Sequence, residues 1–151
     1  MKKLWVVLLS LLLAVVLVVS FFLITAGRVY EADGKVQNTR IYIKDIQYAD
    51  GVLTCTVVNK TWSHASGRGR IEKKIDGEWQ PFSLRPGFLQ PATARIYQPF
   101  RASPVRMIVT LDKSELVGEY RVVGCGVQLH RLRDVLTEAV GYFTITEDML
   151  Q

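Results

Sequence analysis

The side chains best suited to chemistry in this chain are two cysteines and two histidines: Cys55, Cys125, His64 and His130. Zinc needs four Cys, His or carboxylate ligands at suitable spacing, and the sequence has neither a Cys-x-x-Cys nor a His-x-x-x-His pair. A serine nucleophile would need a local signature such as Gly-x-Ser-x-Gly, and no glycine-rich loop is long enough to hold a phosphate. The sequence therefore predicts no catalytic residue, no metal ligand and no cofactor.

Two further motifs have a functional and a structural interpretation. Asn59-Lys60-Thr61 has the form of a glycosylation sequon, although an asparagine is also a common way to end a strand. Trp79 follows the Asp76-Gly77 turn, where it could stack on a ligand or simply cover a sheet. The structural interpretation is preferred for both: a tryptophan that covers the sheet and an asparagine that ends a strand.

The N-terminal residues form an apolar segment long enough to span a membrane. Leu4–Ala26 is 23 residues without a charge, preceded by Lys2 and Lys3. A membrane helix needs about 20 such residues, whereas the apolar part of a cleaved signal has about 7–15. We expect residues 1–27 to be an uncleaved anchor with a cytoplasmic N-terminus. The alternative is secretion after cleavage, for which Thr25-Ala26-Gly27 is a mediocre site.

Charge and length limit the function of the remaining residues. The chain has 19 basic and 14 acidic residues, and without Lys2 and Lys3 the balance is 17 to 14. So mild an excess gives no reason to expect nucleic acid as a partner. Residues 28–151 suffice for one domain with a single core. Residues 28–39 are polar and without a strong pattern, which predicts a linker before a domain at 40–151.

Short apolar runs separated by turn residues predict an all-β domain. Asp76-Gly77 indicates a tight hairpin, and Pro81 places the second strand of that hairpin at a sheet edge. A change of phase at Lys44-Asp45 predicts a bulge. The predicted strands are Arg40–Tyr48, Val52–Asn59, Arg68–Ile75, Glu78–Phe82, Thr93–Tyr97, Val105–Leu111, Gly118–Val127 and Val140–Thr146, with one possible helical turn in Gln128–Glu138. Such regular spacing favours an antiparallel sandwich.

Four segments in order carry a family resemblance: Thr54–Thr61, Ile71–Trp79 (I-E-K-K-I-D-G-E-W), Gly118–Val123 (G-E-Y-R-V-V) and Phe143–Ile145. Over residues 40–146 this set resembles a bacterial immunoglobulin-like domain of surface and secreted proteins. The resemblance implies an antiparallel β-sandwich in an extracytoplasmic setting. It implies no fixed activity, because this fold hosts many functions.

On this resemblance, Cys55 and Cys125 lie on strands B and F, which many such domains join by a disulfide. Tyr120 would be the tyrosine-corner residue, and Trp79, Asp76 and Gly77 would be structural. Because Tyr120 and Cys125 have opposite parity, the disulfide would require a bulge at Gly124. The alternative is a pair of buried thiols that pack without bonding.

The resemblance also implies a dipolar domain. The pole where the anchor enters would collect a basic and aromatic set: Trp62, His64, Arg68, Arg70, His130, Arg131 and Arg133. The opposite pole would collect Asp50, Asp76, Glu78, Asp112, Glu115 and Glu119. One hypothesis is that the basic pole faces the membrane and binds anionic lipid or wall polymer. The alternative is that these are ordinary solvated loop charges.

Together these observations predict a membrane-anchored, extracytoplasmic module that binds a protein or an anionic envelope polymer and is not an enzyme. A second hypothesis makes the chain a subunit of a membrane or envelope complex, with anchor and domain both holding a partner. A third, a small glycan-processing hydrolase, would require a concave pocket with clustered titrating groups, for which the sequence gives no sign.

Overall fold

The apolar N-terminal segment forms one long helix, α1, at Lys2–Ala26. Its segment Lys3–Ala26 is long enough and apolar enough to cross a membrane. A signal sequence near the N-terminus can have the same length and composition. The computed structural model describes residues 2–67, 69–83, 95–128 and 136–150, and only the backbone of residues 2, 125–128 and 136. The helical turn expected in Gln128–Glu138 falls largely outside the described residues.

The described part of the chain after α1 is mainly β-strand, as predicted. The strands are β1 Val29–Ala32, β2 Lys35–Asn38, β3 Ile41–Ala49, β4 Val52–Asn59, β5 Ala65–Gly67, β6 Arg70–Ile75, β7 Glu78–Phe82, β8 Arg95–Tyr97, β9 Arg101–Ile108, β10 Gly118–Gln128 and β11 Leu136–Ile145. One helical turn, α2, Lys113–Leu116, connects β9 to β10, and a 3₁₀ turn follows at Glu147–Leu150.

The strands form two antiparallel sheets. The first has the order β1-β2-β3-β4-β9. In the second, β10 is central, with β11 on one side and β6 and β5 on the other, and β7 and β8 lie outside β6 and β5. The prediction of antiparallel sheets after one apolar helix is confirmed. Pro81 lies on β7, which is an edge strand as predicted, and edge strands are where proline is tolerated in a sheet.

Both sheets contribute to one core. Ile43, Leu53 and Cys55 enter it from the first sheet, and Tyr120 and Val122 from the second. At Gly141 of β11, an added Cβ would lie 2.9 Å from Cβ of Ile43 and 2.7 Å from Cδ1 of Ile46. Glycine is therefore needed there because β3 and β11 approach so closely.

Two irregularities in strand pairing match the sequence pattern. The pairing of β3 with β4 shifts between Lys44 and Gln47, where a bulge was predicted, and Asp45 has φ 52°. The pairing of β10 with β11 shifts between Gly124 and Gly126. Each extra residue changes which face the following side chains occupy.

Residues 28–39 differ from their prediction as a linker. They hold β1 and β2, which pair from Val29↔Asn38 to Ala32↔Lys35. Asp33 and Gly34 form the turn, with φ of 50° and 68°, the positive values that a two-residue hairpin turn needs. The prediction of a linker was wrong because it took the polar composition of residues 28–39 as a sign that they form no strand. These polar residues instead stabilise the hairpin through ion pairs and hydrogen bonds to the second sheet.

Candidate functional site

The C-terminal end of α1 lies against the sheets through two aromatic contacts. The rings of Phe22 and Trp62 meet edge to face with centroids 5.2 Å apart, and those of Phe21 and Phe100 are 6.4 Å apart. Trp62 lies just after β4 and Phe100 just before β9, two strands that pair with each other. These four residues are the aromatic junction. Each such ring pair contributes about 0.5–1.5 kcal/mol beyond the area it buries.

The end of α1 is also fixed by hydrogen bonds. Asn38, almost wholly buried, donates from Nδ2 to the carbonyl of Ala26 at 2.9 Å. This carbonyl is among the last four of the helix, which have no partner within it. Gly27 follows with φ 77°, and a Cβ there would come within 2.6 Å of Cγ of Arg40. The chain therefore leaves α1 in one direction, set by Gly27 and held by Asn38.

The tip of the β1–β2 hairpin contacts the second sheet. Arg121 donates to the carbonyl of Asp33 at 2.9 Å, and the hydroxyl of Tyr142 donates to the Asp33 carboxylate at 2.5 Å. Arg121 and Tyr142 are neighbours in register on β10 and β11, on the face opposite the core. Strand β2 also lies against β11. The hairpin thus joins the end of α1 to the outer face of the second sheet.

Five charged side chains form a cluster beneath this hairpin. The charge cluster comprises Lys35, Arg70, Glu72, Arg121 and Glu138. Glu72 is its centre: Nε of Arg121 and of Arg70 donate to its carboxylate at 2.6 and 2.8 Å, and Nζ of Lys35 is 3.4 Å away. Glu138 pairs with Arg70 at 2.8 Å and Lys35 at 3.8 Å.

The cluster fixes the ionisation of Glu72. Burial alone would raise the pKa of this carboxyl group, but hydrogen bonds from Arg70 and Arg121, with the charge of Lys35, bring the pKa below its ordinary value. Glu72 therefore stays ionised at neutral pH and is no candidate for a general acid. Its role in the described structure is to neutralise cations from β2, β6 and β10.

An open groove of about 780 Å³ lies beside the hairpin tip. Trp79 and Tyr142 line it with ring centroids 5.9 Å apart, and Asp33, Lys74 and Glu119 contribute charges. Arg121 covers part of the Trp79 ring, with Cζ 4.7 Å from the ring centroid. The groove offers the rings of Trp79 and Tyr142 beside charges of both signs, and tryptophan and tyrosine are enriched in protein interfaces.

The predicted cysteine pair lies on the expected two sheets. Cys55 is on β4 of the first sheet, and Cys125 lies in β10 of the second, at the shift between Gly124 and Gly126. Cys55 is buried, and burial raises the pKa of its thiol to about 11. The side chain of Cys125 is outside the described residues, so the disulfide remains a prediction. A thiol with so high a pKa is a poor nucleophile at neutral pH.

The residues expected to be structural have clear partners. Tyr120 has no exposed surface, and its hydroxyl donates to the carbonyl of Leu116 at 2.7 Å, four residues upstream. Asp76 and Gly77 form the β6–β7 turn with φ of 52° and 86°. Trp79 packs against Tyr142 and Arg121, and it also borders the groove.

The sequon asparagine is part of the structure as well. Asn59 has no exposed surface, and its Nδ2 donates to the carbonyls of Ser63 and Tyr97 at 2.8 and 3.2 Å. Its Oδ1 accepts from the backbone N–H of Thr61 at 3.0 Å. An amide engaged in this way is inaccessible to a glycosylating enzyme.

Only some residues of the predicted basic pole lie where the prediction placed them. Trp62 is in the aromatic junction, and Nε2 of exposed His64 lies 2.9 Å from Oε1 of Gln98. Arg70 instead belongs to the charge cluster, where it pairs with both glutamates. Arg68, His130, Arg131 and Arg133 lie outside the described residues. Sequence reasoning missed Asn38, Phe100 and the charge cluster.

Neither metal chemistry nor a known relative identifies a reaction. Within residues 2–67, 69–83, 95–128 and 136–150, no group of three or more His, Cys, Asp or Glu side chains is placed to hold a metal ion. No protein-family model matches the chain, and no curated protein matches it. The aromatic junction, the charge cluster and the groove are the described features that bear on function.

Proposed function

We propose that this protein is a membrane-anchored, extracytoplasmic immunoglobulin-like module with a non-catalytic role in binding an envelope partner. α1 is the anchor, Lys2 and Lys3 remain on the cytoplasmic side, and the sheets lie outside. The partner is a second protein or an anionic envelope polymer. The groove between Trp79, Tyr142 and the hairpin tip is the surface on which we expect it to bind.

Strand order supports the immunoglobulin-like assignment. β3, β4 and β9 are neighbours in one sheet, in the order of strands A, B and E of that fold. β6, β10 and β11 are neighbours in the other, in the order of strands C, F and G. The hydrogen bond from Tyr120 to Leu116 resembles the tyrosine corner at the start of strand F.

The observation that carries the proposal is the fixed connection between α1 and the sheets. Three contacts connect the helix to the sheets. The Phe22 ring packs against Trp62, Asn38 donates a hydrogen bond to the carbonyl of Ala26, and Arg121 donates one to the hairpin at Asp33. The segment between the helix and the sheets is therefore held in place and is not a flexible linker. A flexible tether would suffice for a domain that only needs to stay near the cell. A fixed connection gives the groove one height and orientation above the bilayer, which suits binding to a partner itself held in the envelope.

The test is photo-crosslinking from the groove in native membranes. A photoreactive residue replaces Glu78, which lines the groove and is exposed. One variant receives a flexible Gly-Ser insertion between Ala26 and Gly27, which breaks the fixed connection. A matched variant has residues 4–19 replaced by polyleucine, which keeps a membrane helix and leaves the aromatic junction intact. We expect the polyleucine variant to keep the crosslinked species and the insertion to lose it.

Other outcomes contradict specific parts of the proposal. Crosslinks unchanged by the insertion would mean that α1 is a simple tether. Loss in the polyleucine variant would favour the membrane-complex hypothesis, in which the lipid-facing surface of α1 also contacts the partner. No crosslink to any protein or polymer in any variant would reject the groove as a binding surface. Release of the wild-type chain by alkaline carbonate would reject the anchor.

A further inference from the structure

We propose that the helix-proximal end of the β domain is itself a membrane-binding surface that takes anionic phospholipid headgroups. The surface has two parts, the aromatic junction and a basic rim formed by Arg28, Arg40, Lys60 and Arg101. This inference rests on the proposed function, because it requires α1 to span the bilayer. It adds a second attachment: the domain contacts the lipid surface and does not only stand above it.

The position of the aromatic side chains along the membrane normal follows from their contacts with α1. Phe22 and Phe21 lie in the last two turns of the helix, so Trp62 and Phe100 share that level. The end of a spanning helix lies at the boundary between hydrocarbon and headgroups. Trp and other amphipathic aromatic side chains are enriched at this boundary. Two loops of the domain therefore place aromatic rings where the membrane interface must be.

Phe100 is placed so that its side chain could contact lipid. It is 55% exposed despite being a large apolar residue, and its φ is 53°. A positive φ is rare and costly for a bulky residue other than glycine. A hydrogen bond from its N–H to the carbonyl of Thr61, at 3.3 Å, helps to hold this turn. The domain core gains nothing from this exposed ring, whereas a lipid interface would bury it.

The basic rim surrounds this end of the domain. Arg28 lies two residues after Ala26, the last residue of α1, and Arg40 lies against Gly27. Lys60 donates its N–H to the carbonyl of Arg40, and Arg101 is next to Phe100 and pairs in register with Asn59. Arg28, Lys60 and Arg101 are exposed. None of the rim residues forms an ion pair with a described acidic side chain.

The sequence keeps acidic residues away from this end. The segments that build it, residues 24–30, 38–44, 58–67 and 95–104, contain no Asp or Glu. The described acidic residue nearest to this end in sequence is Glu31 on β1, three residues after Arg28. The other described acidic side chains lie in the charge cluster, at the turns and the β3 bulge, in or next to α2, at the start of β10 and in the 3₁₀ turn. An anionic bilayer attracts cations close to its surface, so basic side chains that form no ion pair with a described acidic side chain are suited to bind anionic headgroups.

The test measures how lipid charge affects the reactivity of Lys60. The full chain is reconstituted in nanodiscs of phosphatidylcholine, with or without phosphatidylglycerol. Acetylation by a water-soluble reagent is followed residue by residue by mass spectrometry. We expect phosphatidylglycerol to slow acetylation of Lys60 about fivefold, and high salt to reverse the effect. Lys74, an exposed lysine near the Asp76-Gly77 turn, is the internal control and should not respond.

Charge variants on β9 provide a matched comparison. Arg101→Glu should weaken the protection of Lys60, whereas Arg106→Glu on the same strand should not. Arg106 is exposed and lies five residues further along β9, about 17 Å from Arg101. That separation exceeds the screening length at physiological salt. Equal responses to the two variants would indicate a general charge effect and overturn the headgroup site.

The remaining outcomes separate this inference from the proposed function. If the chain resists alkaline extraction but Lys60 reacts equally in both lipids, the headgroup surface is rejected and the anchor stands. If a soluble glycerol-phosphate polymer protects Lys60 in neutral nanodiscs while phosphatidylglycerol does not, the surface binds polymer and the lipid assignment is wrong. If alkaline carbonate extracts the chain, the anchor itself fails.

Discussion

Glu72 and Arg121 form a buried ion pair between adjacent strands, with Nε of the guanidinium 2.6 Å from the carboxylate and both side chains no more than 6% exposed. The same guanidinium donates to the carbonyl of Asp33. One arginine thus links the second sheet to the hairpin that leads to α1. The pair is buried because the hairpin covers it.

Glu72→Gln tests this pair. The substitution removes the charge but keeps the shape, and it leaves the buried Arg121 without its anionic partner. Breaking a buried pair in this way costs about 3–5 kcal/mol, because one charge stays desolvated and uncompensated. We expect a loss of this size in the free energy of unfolding of the full chain in nanodiscs. Urea unfolding followed by tryptophan fluorescence measures it.

Glu119→Gln is the matched control. Its carboxylate pairs with Lys74 at 3.0 Å, but both side chains are well exposed, so the expected loss is at most about 1 kcal/mol. Replacing Glu72 and Arg121 together by leucine should recover much of the stability, because no lone charge remains. Equal losses for Glu72→Gln and Glu119→Gln would show that the Glu72 pair is not desolvated.

The same carboxylate predicts an acid dependence. The pKa of Glu72 is below its ordinary value of 4.5 in the folded protein, so the unfolded chain binds its proton more readily. Its stabilising effect is therefore complete above pH 4.5 and is lost as the pH falls below that value, through the folded-state pKa. The difference in unfolding free energy between wild type and Glu72→Gln should shrink over this acidic range. A constant difference would contradict the assignment.

The hairpin shows where sequence reasoning succeeded and where it failed. Asp76-Gly77 was recognised as a turn because alternating residues flank it. Asp33-Gly34 is the same dipeptide and also has a positive φ at both residues, but its flanks are short and largely polar. Those flanks are stabilised by Arg121 and Tyr142, which lie 88 and 109 residues from Asp33. No local pattern contains that information.

The charge cluster was unpredictable for a related reason. Charged residues alternating with apolar ones on a strand indicate a solvent-facing side, and Glu72 and Arg121 both follow that pattern. That side is buried only because β1 and β2 lie over it. In contrast, the apolar helix, the Asp76-Gly77 hairpin, the edge position of Pro81 and the bulge near Asp45 are local features, and the sequence predicted each of them.

Gly141→Ala should disturb the packing between the sheets. The added methyl group would lie 2.7 Å from Ile46 and 2.9 Å from Ile43, so β3 and β11 must separate or the isoleucines must leave their rotamers. Overpacking of this kind typically costs about 1–3 kcal/mol. Gly69→Ala is the control, since a Cβ there has open space. Urea unfolding should show a clear loss for the first variant and little change for the second.

Cys55 should be almost unreactive in the folded protein. Burial raises its pKa to about 11 from an ordinary 9.0, so its thiolate population at pH 8 falls about a hundredfold, and the core also excludes reagent. Mass spectrometry after brief iodoacetamide treatment should find Cys55 unmodified. In denaturant, modification without prior reduction would mean a packed thiol. A requirement for reduction would support the predicted bond to Cys125.

The contact between Phe22 and Trp62 should couple the helix to the domain. Phe22→Ala and Trp62→Ala each remove one ring of a pair with centroids 5.2 Å apart. If the contact holds α1 in place, the double variant should lose less stability than the two single losses combined, with a coupling of about 0.5–1.5 kcal/mol. Amide exchange at Gly27 and Arg28 should rise in each variant, because their N–H groups lie at the connection. Additive losses with unchanged exchange would mean that the rings touch without fixing the helix, and the fixed orientation would then depend on Asn38 and the hairpin alone.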